Sequence, residues 1–182
     1  PGQAMPTIFP FDENGDVIFS QTITADPEAV RNIIVNFKRR PSDLLRGNTK
    51  LSIGEQIDLV KKSSKWPGAD TWPGGNGPEM LTFKNSVIAF TNGIFTDKNY
   101  VNRLKSAAQD SDEIVFCVGH PTNWSELDVA IYELIIKNTV LGSGVYEGKK
   151  ASIIMVAESR AAFLYAKDIA AFGKLPKDSS VL

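Results

Sequence analysis

Two places in this 182-residue sequence put chemically competent side chains directly after short apolar runs. His120 and Asn123 lie in "GHPTNW" behind "EIVFCV", and Glu158, Ser159 and Arg160 lie in "ESRAA" behind "ASIIMVA". Ligands of open parallel sheets gather outside the carboxyl ends of the strands, so His120, Asn123, Glu158 and Arg160 are the positional candidates. Position alone leaves Glu158 two roles: a ligand-facing carboxylate, or a cap on the following helix, whose N-terminal dipole favours negative charge. "AESRA" also echoes the G-x-S-x-G nucleophile elbow, which would make Ser159 a nucleophile. Both glycines of that crowded turn are Ala here, and the chain's single His, His120, precedes the Ser instead of following it. A hydrolase triad is therefore not the leading reading.

Other catalytic patterns are missing. The sequence has no G-x-x-x-x-G-K-[ST] phosphate loop, no G-x-G-x-x-G after a strand and no paired Cys or His at metal spacing. His120 by itself reads as a turn-stabilising hydrogen-bond residue, and Trp66 and Trp72 as loop anchors. Twenty basic against twenty-one acidic residues give a net charge of -1, so no general field recruits nucleic acid or an anionic membrane. The single cysteine, Cys117, excludes an internal disulfide framework and is predicted to be a small buried hydrophobe in a reducing, cytoplasmic compartment. No apolar run reaches the roughly 18 residues of a membrane span. The chain opens at "PGQAMPTIF" and stops at "SSVL", and it is expected to be a piece of a longer protein.

The elements that must position these residues follow from pattern. "TIFPFDENGDVIFSQ" predicts a β-hairpin about Asn14-Gly15. In "TADPEAVRNIIVNFKRR", Asp26 and Pro27 mark a helix start, and Val30, Ile33, Ile34 and Phe37 a helical face that should stop near Pro41. A helix is expected in "IGEQIDLVKKSS", followed by a loop through "KWPGADTWPGGNGPE". "MLTFKNSVIAFTNGIF" and "DKNYVNRLKSAAQD" read as helices, broken or kinked around Asn92-Gly93, the second with a solvated face. "EIVFCVG" is a short buried strand. Ser125 caps a helix with Leu127, Ala130, Ile131, Leu134 and Ile135 on its apolar face and Gly142 at its stop. "ASIIMVAE" is the next strand and "SRAAFLYAKDIAAF" the next helix. Strand, helix, strand, helix in this order predicts α/β architecture with a parallel sheet.

Three of these segments resemble one family. "MPTIFPFDENGDVIFSQTITADPEAVRNIIVNFKRRP" is similar to the segment of DnaK-type, heat-shock-protein-seventy chaperones in which a hairpin and helix lead into a catalytic lysine followed by arginine. "DEIVFCVGHPTNWSELDVAIYELIIKNTVLG" is similar to that family's "T-V-P-A-Y-F" strand, turn and helix. "IIMVAESRAAFLYAKD" looks like its "I-x-E-P-T-A-A-A-L-A-Y-G" segment. The resemblance implies a partial actin-like ATPase (ribonuclease H-like) lobe with an appended, mostly helical and β-hairpin subdomain. Residues 1–114 would form the outer subdomain and 115–182 the strand-helix-strand-helix part of the nucleotide-binding core.

By the same resemblance Lys38 matches the catalytic lysine, Arg39 the neighbouring arginine near the phosphates, and Glu158 the acidic residue that acts through water on magnesium. A cation near a phosphoryl transition state and a carboxylate holding a hydrated hard cation both suit those tasks. ATP and Mg2+ are then the implied cofactors of the full-length protein, with no direct protein ligand to the metal. The implied partners are the remaining lobe of the ATPase domain, co-chaperones, an exchange factor and unfolded polypeptide clients, with no nucleic acid and no membrane. Ser159-Arg160 stand where the family has Pro-Thr, Gly119 where it has proline, and Leu127 near an arginine that relays nucleotide state. The family's Gly-rich phosphate loops do not occur in this sequence, so the isolated piece is expected to be inactive. The alternative is a non-catalytic interaction module or scaffold that keeps the actin-like fold.

Overall fold

Helix α4 (Glu126–Gly142) is apolar around most of its circumference, and Leu127, Ala130, Ile131, Tyr132, Leu134, Ile135, Ile136 and Val140 are all buried. A helix of that kind is stable only when other elements surround it. The computed structural model describes residues 8–10, 33–35, 39–45, 50–68, 72, 77–142 and 148–168. Around α4 pack α1 (Ile53–Lys62), α2 (Pro78–Thr96), a 3-10 helix (Pro41–Leu44) and β4 (Lys150–Ala157). Strand β3 (Glu113–His120) pairs with β4 in parallel, from Glu113 opposite Lys150 to His120 opposite Ala157. Helix α5 (Glu158–Asp168) follows β4 without a linker. The chain is thus mixed α/β with a small parallel sheet, and among the described residues no helix is long and apolar enough to cross a membrane.

The sheet has two unlike faces because successive side chains of a strand point in opposite directions. Ile114 and Phe116 are buried on one face, where Val118, Ala151, Ile153 and Met155 also pack on the core. On the other face Val115, Cys117 and Ile154 are exposed. Cys117 is therefore not the buried hydrophobe its apolar neighbours suggest, since the alternation turns it away from α2 and α4.

Local chemistry accounts for the helices. Ser52 and Glu55 close a capping box at the start of α1, with Glu55 N–H donating to Ser52 Oγ at 3.3 Å and Ser52 N–H to Glu55 Oε2 at 2.7 Å. The loop beyond α1 is anchored by tryptophans as its composition predicts. Trp72 is fully enclosed, donates Nε1–H to Gln56 Oε1 at 3.4 Å and lies 5.4 Å from the Trp66 ring.

Three local expectations are corrected. Residues Ile33–Val35 are a strand, β2, antiparallel to β1 (Ile8–Pro10), and not part of a helical face. Three consecutive β-branched residues fit a pleated ladder better than a helix, and pairing decides what periodicity leaves open. The second run of the expected hairpin lies outside the described residues, and the observed partner of Ile8–Pro10 is this later strand. Pro41 opens a 3-10 helix, at a position where a missing N–H costs nothing. Helix α2 is unbroken at Asn92-Gly93, with Gly93 buried, and ends at Asp97 instead. The Asp97 carboxylate accepts from the N–H groups of Asn99 and Tyr100 at 2.8 and 2.9 Å, which starts α3 (Lys98–Ala107). No residue of α3 is buried, in keeping with the solvated face expected of it.

One buried charge ties these parts together. Asp128 is fully enclosed, yet its Oδ1 accepts from Ser42 N–H at 2.8 Å and its Oδ2 from Ser125 N–H and Oγ–H at 2.8 and 2.6 Å. Ser125 Oγ in turn accepts from Asp128 N–H at 3.3 Å, a capping box with Asp in the usual place of Glu. Burial pushes the carboxyl up, but the hydrogen bonds from Ser125 and Ser42 together outweigh it and hold the group below the ordinary range. Replacing Asp128 by Ala strands two backbone donors, at a cost of about 1–3 kcal/mol for a group left unsatisfied. The unfolded carboxyl titrates near about 4, so this contribution is complete above that pH and is lost as pH falls through the lower folded value. Urea midpoints of wild type and Asp128→Ala should lie furthest apart near neutrality and converge in acid. A gap independent of pH would contradict this assignment.

Candidate functional site

The flush register of β3 and β4 brings the two turns beyond them to one level, with His120 opposite Ala157 and Glu158 the next residue. The β3–α4 turn and the start of α5 are joined there through hydroxyl groups. Thr122 Oγ–H donates to Ser159 Oγ at 2.8 Å, and Ser159 N–H reaches Thr122 Oγ1 at 3.4 Å. Ser159 is thereby a helix-start residue engaged with Thr122. His120 is turned elsewhere: its Nδ1 is 3.0 Å from the Pro121 carbonyl, to which a tautomer protonated at Nδ1 donates. Its ring stacks over Trp124 at 6.4 Å and 16° between planes. Serine and histidine are not paired, and the nucleophile-elbow arrangement is not assembled.

Glu158 is exposed at the first position of α5 and folds back over β3. A Cβ placed on Gly119 would lie 3.4 Å from Glu158 Cγ and 4.0 Å from its Oε1. A methyl group there is at the edge of van der Waals contact, whereas a larger side chain would displace the carboxylate. Gly119 thus supplies the space into which Glu158 lies. The negative charge is also felt below the sheet. Tyr132 of α4 is buried against the edge of Trp124, ring centres 5.2 Å apart, and its phenol is pushed up to about 12 by burial first and by Glu158 second.

Of the other sequence candidates, Asn123 joins the assembly through its backbone, its carbonyl accepting from Arg40 Nη2 at 2.9 Å. Arg160 is exposed on the first turn of α5, and Arg39 is exposed beside Arg40. Lys38 lies outside the described residues. Thr122, Arg40 and Tyr132 were not singled out by sequence reasoning, because none belongs to a motif and each matters through a partner distant in the chain. Asp128 had a readable signal, the Ser125-x-x-Asp128 capping-box spacing. Among the described residues no cluster of three or more His, Cys, Asp or Glu side chains could hold a metal directly. The arrangement can present one carboxylate, backed by a hydroxyl pair and a helix N-terminus, to a ligand at the strand ends.

Searches against protein-family models, curated proteins and solved structures found no match to the chain.

Titration of Tyr132 gives a measurable consequence. An unfolded phenol ionises near about 10, so the neutral buried form stabilises the fold fully below that pH, and this share is lost as pH rises through the folded value. Unfolding followed by circular dichroism should set in at higher pH in Tyr132→Phe than in wild type. Identical alkaline profiles would show that this phenol is not buried as described.

Proposed function

We propose that the chain contributes part of the first lobe of an actin-like, DnaK-type ATPase, in which Glu158 acts through water on the magnesium of bound ATP. The single observation that supports this most is the placing of Glu158. It is the first residue after β4, level with the end of the parallel neighbour β3, and its side chain lies over a glycine. That is where open parallel sheets bind ligands. An exposed carboxylate that belongs to no described cluster of three or more His, Cys, Asp or Glu side chains suits an outer contact to a hydrated hard cation, not a direct cage. Magnesium, when bound with ATP, would neutralise charge developing on the transferred phosphoryl group. Lys38 would steady that charge and the attacking water, and Arg39 would lie near the phosphates, both by resemblance of "FKRR" to the family's lysine-arginine pair.

The Thr122–Ser159 contact gives Glu158 a fixed base, because it joins the start of α5 to the turn after β3. Asp128 holds that turn in place from below through Ser125. In this reading a strand end, a glycine and a capped helix position one carboxylate, while the phosphate loops and the adenosine-binding lobe come from other parts of the protein.

Single-turnover ATP hydrolysis by the full-length protein tests the assignment. Lys38→Ala and Glu158→Ala are each expected to slow turnover by about 10²–10³-fold, the usual effect of removing one electrostatic contact to a transition state. Near-normal rates in both variants would refute the roles given to these residues.

A further inference from the structure

A cavity of about 360 Å³ lies beside β3, between α2 and α3 on one side and α4 on the other. Its volume falls in the range of about 300–1,000 Å³ usual for small-molecule sites. Phe90, Ile94, Phe95, Leu104, Ile136 and Val140 contribute apolar walls, and among the described residues none that lines it carries a charge. Thr91 also lines it, but its hydroxyl is already committed, donating to the Val87 carbonyl at 2.8 Å.

Two phenols also line it, the exposed Tyr100 and the buried Tyr132. The Tyr132 side chain is only 3% exposed, and its hydroxyl has no hydrogen-bond partner among the described residues. Nor is any described side-chain oxygen or nitrogen both sealed from solvent and unpartnered. The Tyr132 hydroxyl is therefore not sealed off completely, and the cavity is a space that Tyr132 lines. A buried donor without an acceptor is costly, and the natural remedy is an acceptor brought by a ligand.

The ligand's chemistry follows from the walls. The described lining holds no cation, and the carboxylate of Glu158 lies near Gly119 at one end, which together disfavour an anion. The apolar walls favour a flat or branched hydrocarbon body. We propose that this cavity binds a small, neutral, mainly apolar molecule carrying one hydrogen-bond acceptor, which the Tyr132 hydroxyl engages. The site does not depend on ATP chemistry, although it extends to Gly119 near the end of β3.

Prodan, a neutral naphthalene ketone whose emission shifts to the blue in apolar surroundings, is the probe. Titrated with the 182-residue chain, it should bind saturably with one molecule per chain. Tyr132→Phe removes the donor and leaves the ring, so binding should weaken by about 2–10-fold, the worth of one hydrogen bond. Thermal unfolding of this variant should be no lower than wild type, because an unpartnered hydroxyl has been removed. Ile94→Trp fills the cavity from a half-buried position and should abolish the signal. Absence of saturable binding, or equal affinity in a folded Tyr132→Phe, overturns the proposal. Self-association that excludes the dye would assign the cavity to a second copy of the chain and overturn it equally.

Discussion

The carboxylate of Asp128 is the one charge that the core encloses among the described residues, and the surrounding elements are arranged to answer it. An ion in such a position is tolerable only if hydrogen bonds replace its lost hydration. Ser125 supplies two donors from the start of α4, and Ser42 supplies a third from the 3-10 helix. The 3-10 helix and α4 are more than 80 residues apart in sequence, so the carboxylate fixes how distant parts of the chain meet. Pro41 and Leu44 are buried beside it, which adds apolar contact to polar direction. Arg40, just before that helix, reaches the Asn123 carbonyl in the turn that carries the candidate site.

From that fixed point the site is built outward. Ser125 starts α4, Trp124 packs between Phe83 and Tyr132, and the turn above them meets α5 through Thr122 and Ser159. The position of Glu158 is consequently set by core packing at one remove. Lys61 also reaches Glu126 at 2.5 Å, but this pair is largely solvent-exposed and contributes little to holding the turn.

The succession β3, α4, β4, α5 was legible in the sequence because lengths and composition agreed. "EIVFCVG" is too short for a helix and rich in β-branched residues, while α4 carries its apolar positions at helical spacing between a serine cap and a glycine stop. The strand ends were therefore visible, and with them the place of Glu158. Ile33–Val35 misled because three apolar residues satisfy a helical face and a strand equally, and only the partner strand decides. Asn92-Gly93 misled for another reason: glycine weakens a helix by about 1 kcal/mol, which burial within α2 readily offsets. The actual break came from Asp97, whose side chain competes for backbone donors. Contacts such as Thr122 with Ser159 and Arg40 with Asn123 had no local signature, since each depends on how two remote turns meet.

The unequal faces of the sheet have a practical side. The chain contains one cysteine, and alternation along β3 places it on the face that α2 and α4 do not cover. A thiol reagent therefore marks a single known spot, with no second sulfhydryl to confuse the count. Whatever comes to lie over Val115 and Ile154 must also lie over that sulfur. The speed of its alkylation converts the covering of a β-sheet into a chemical clock.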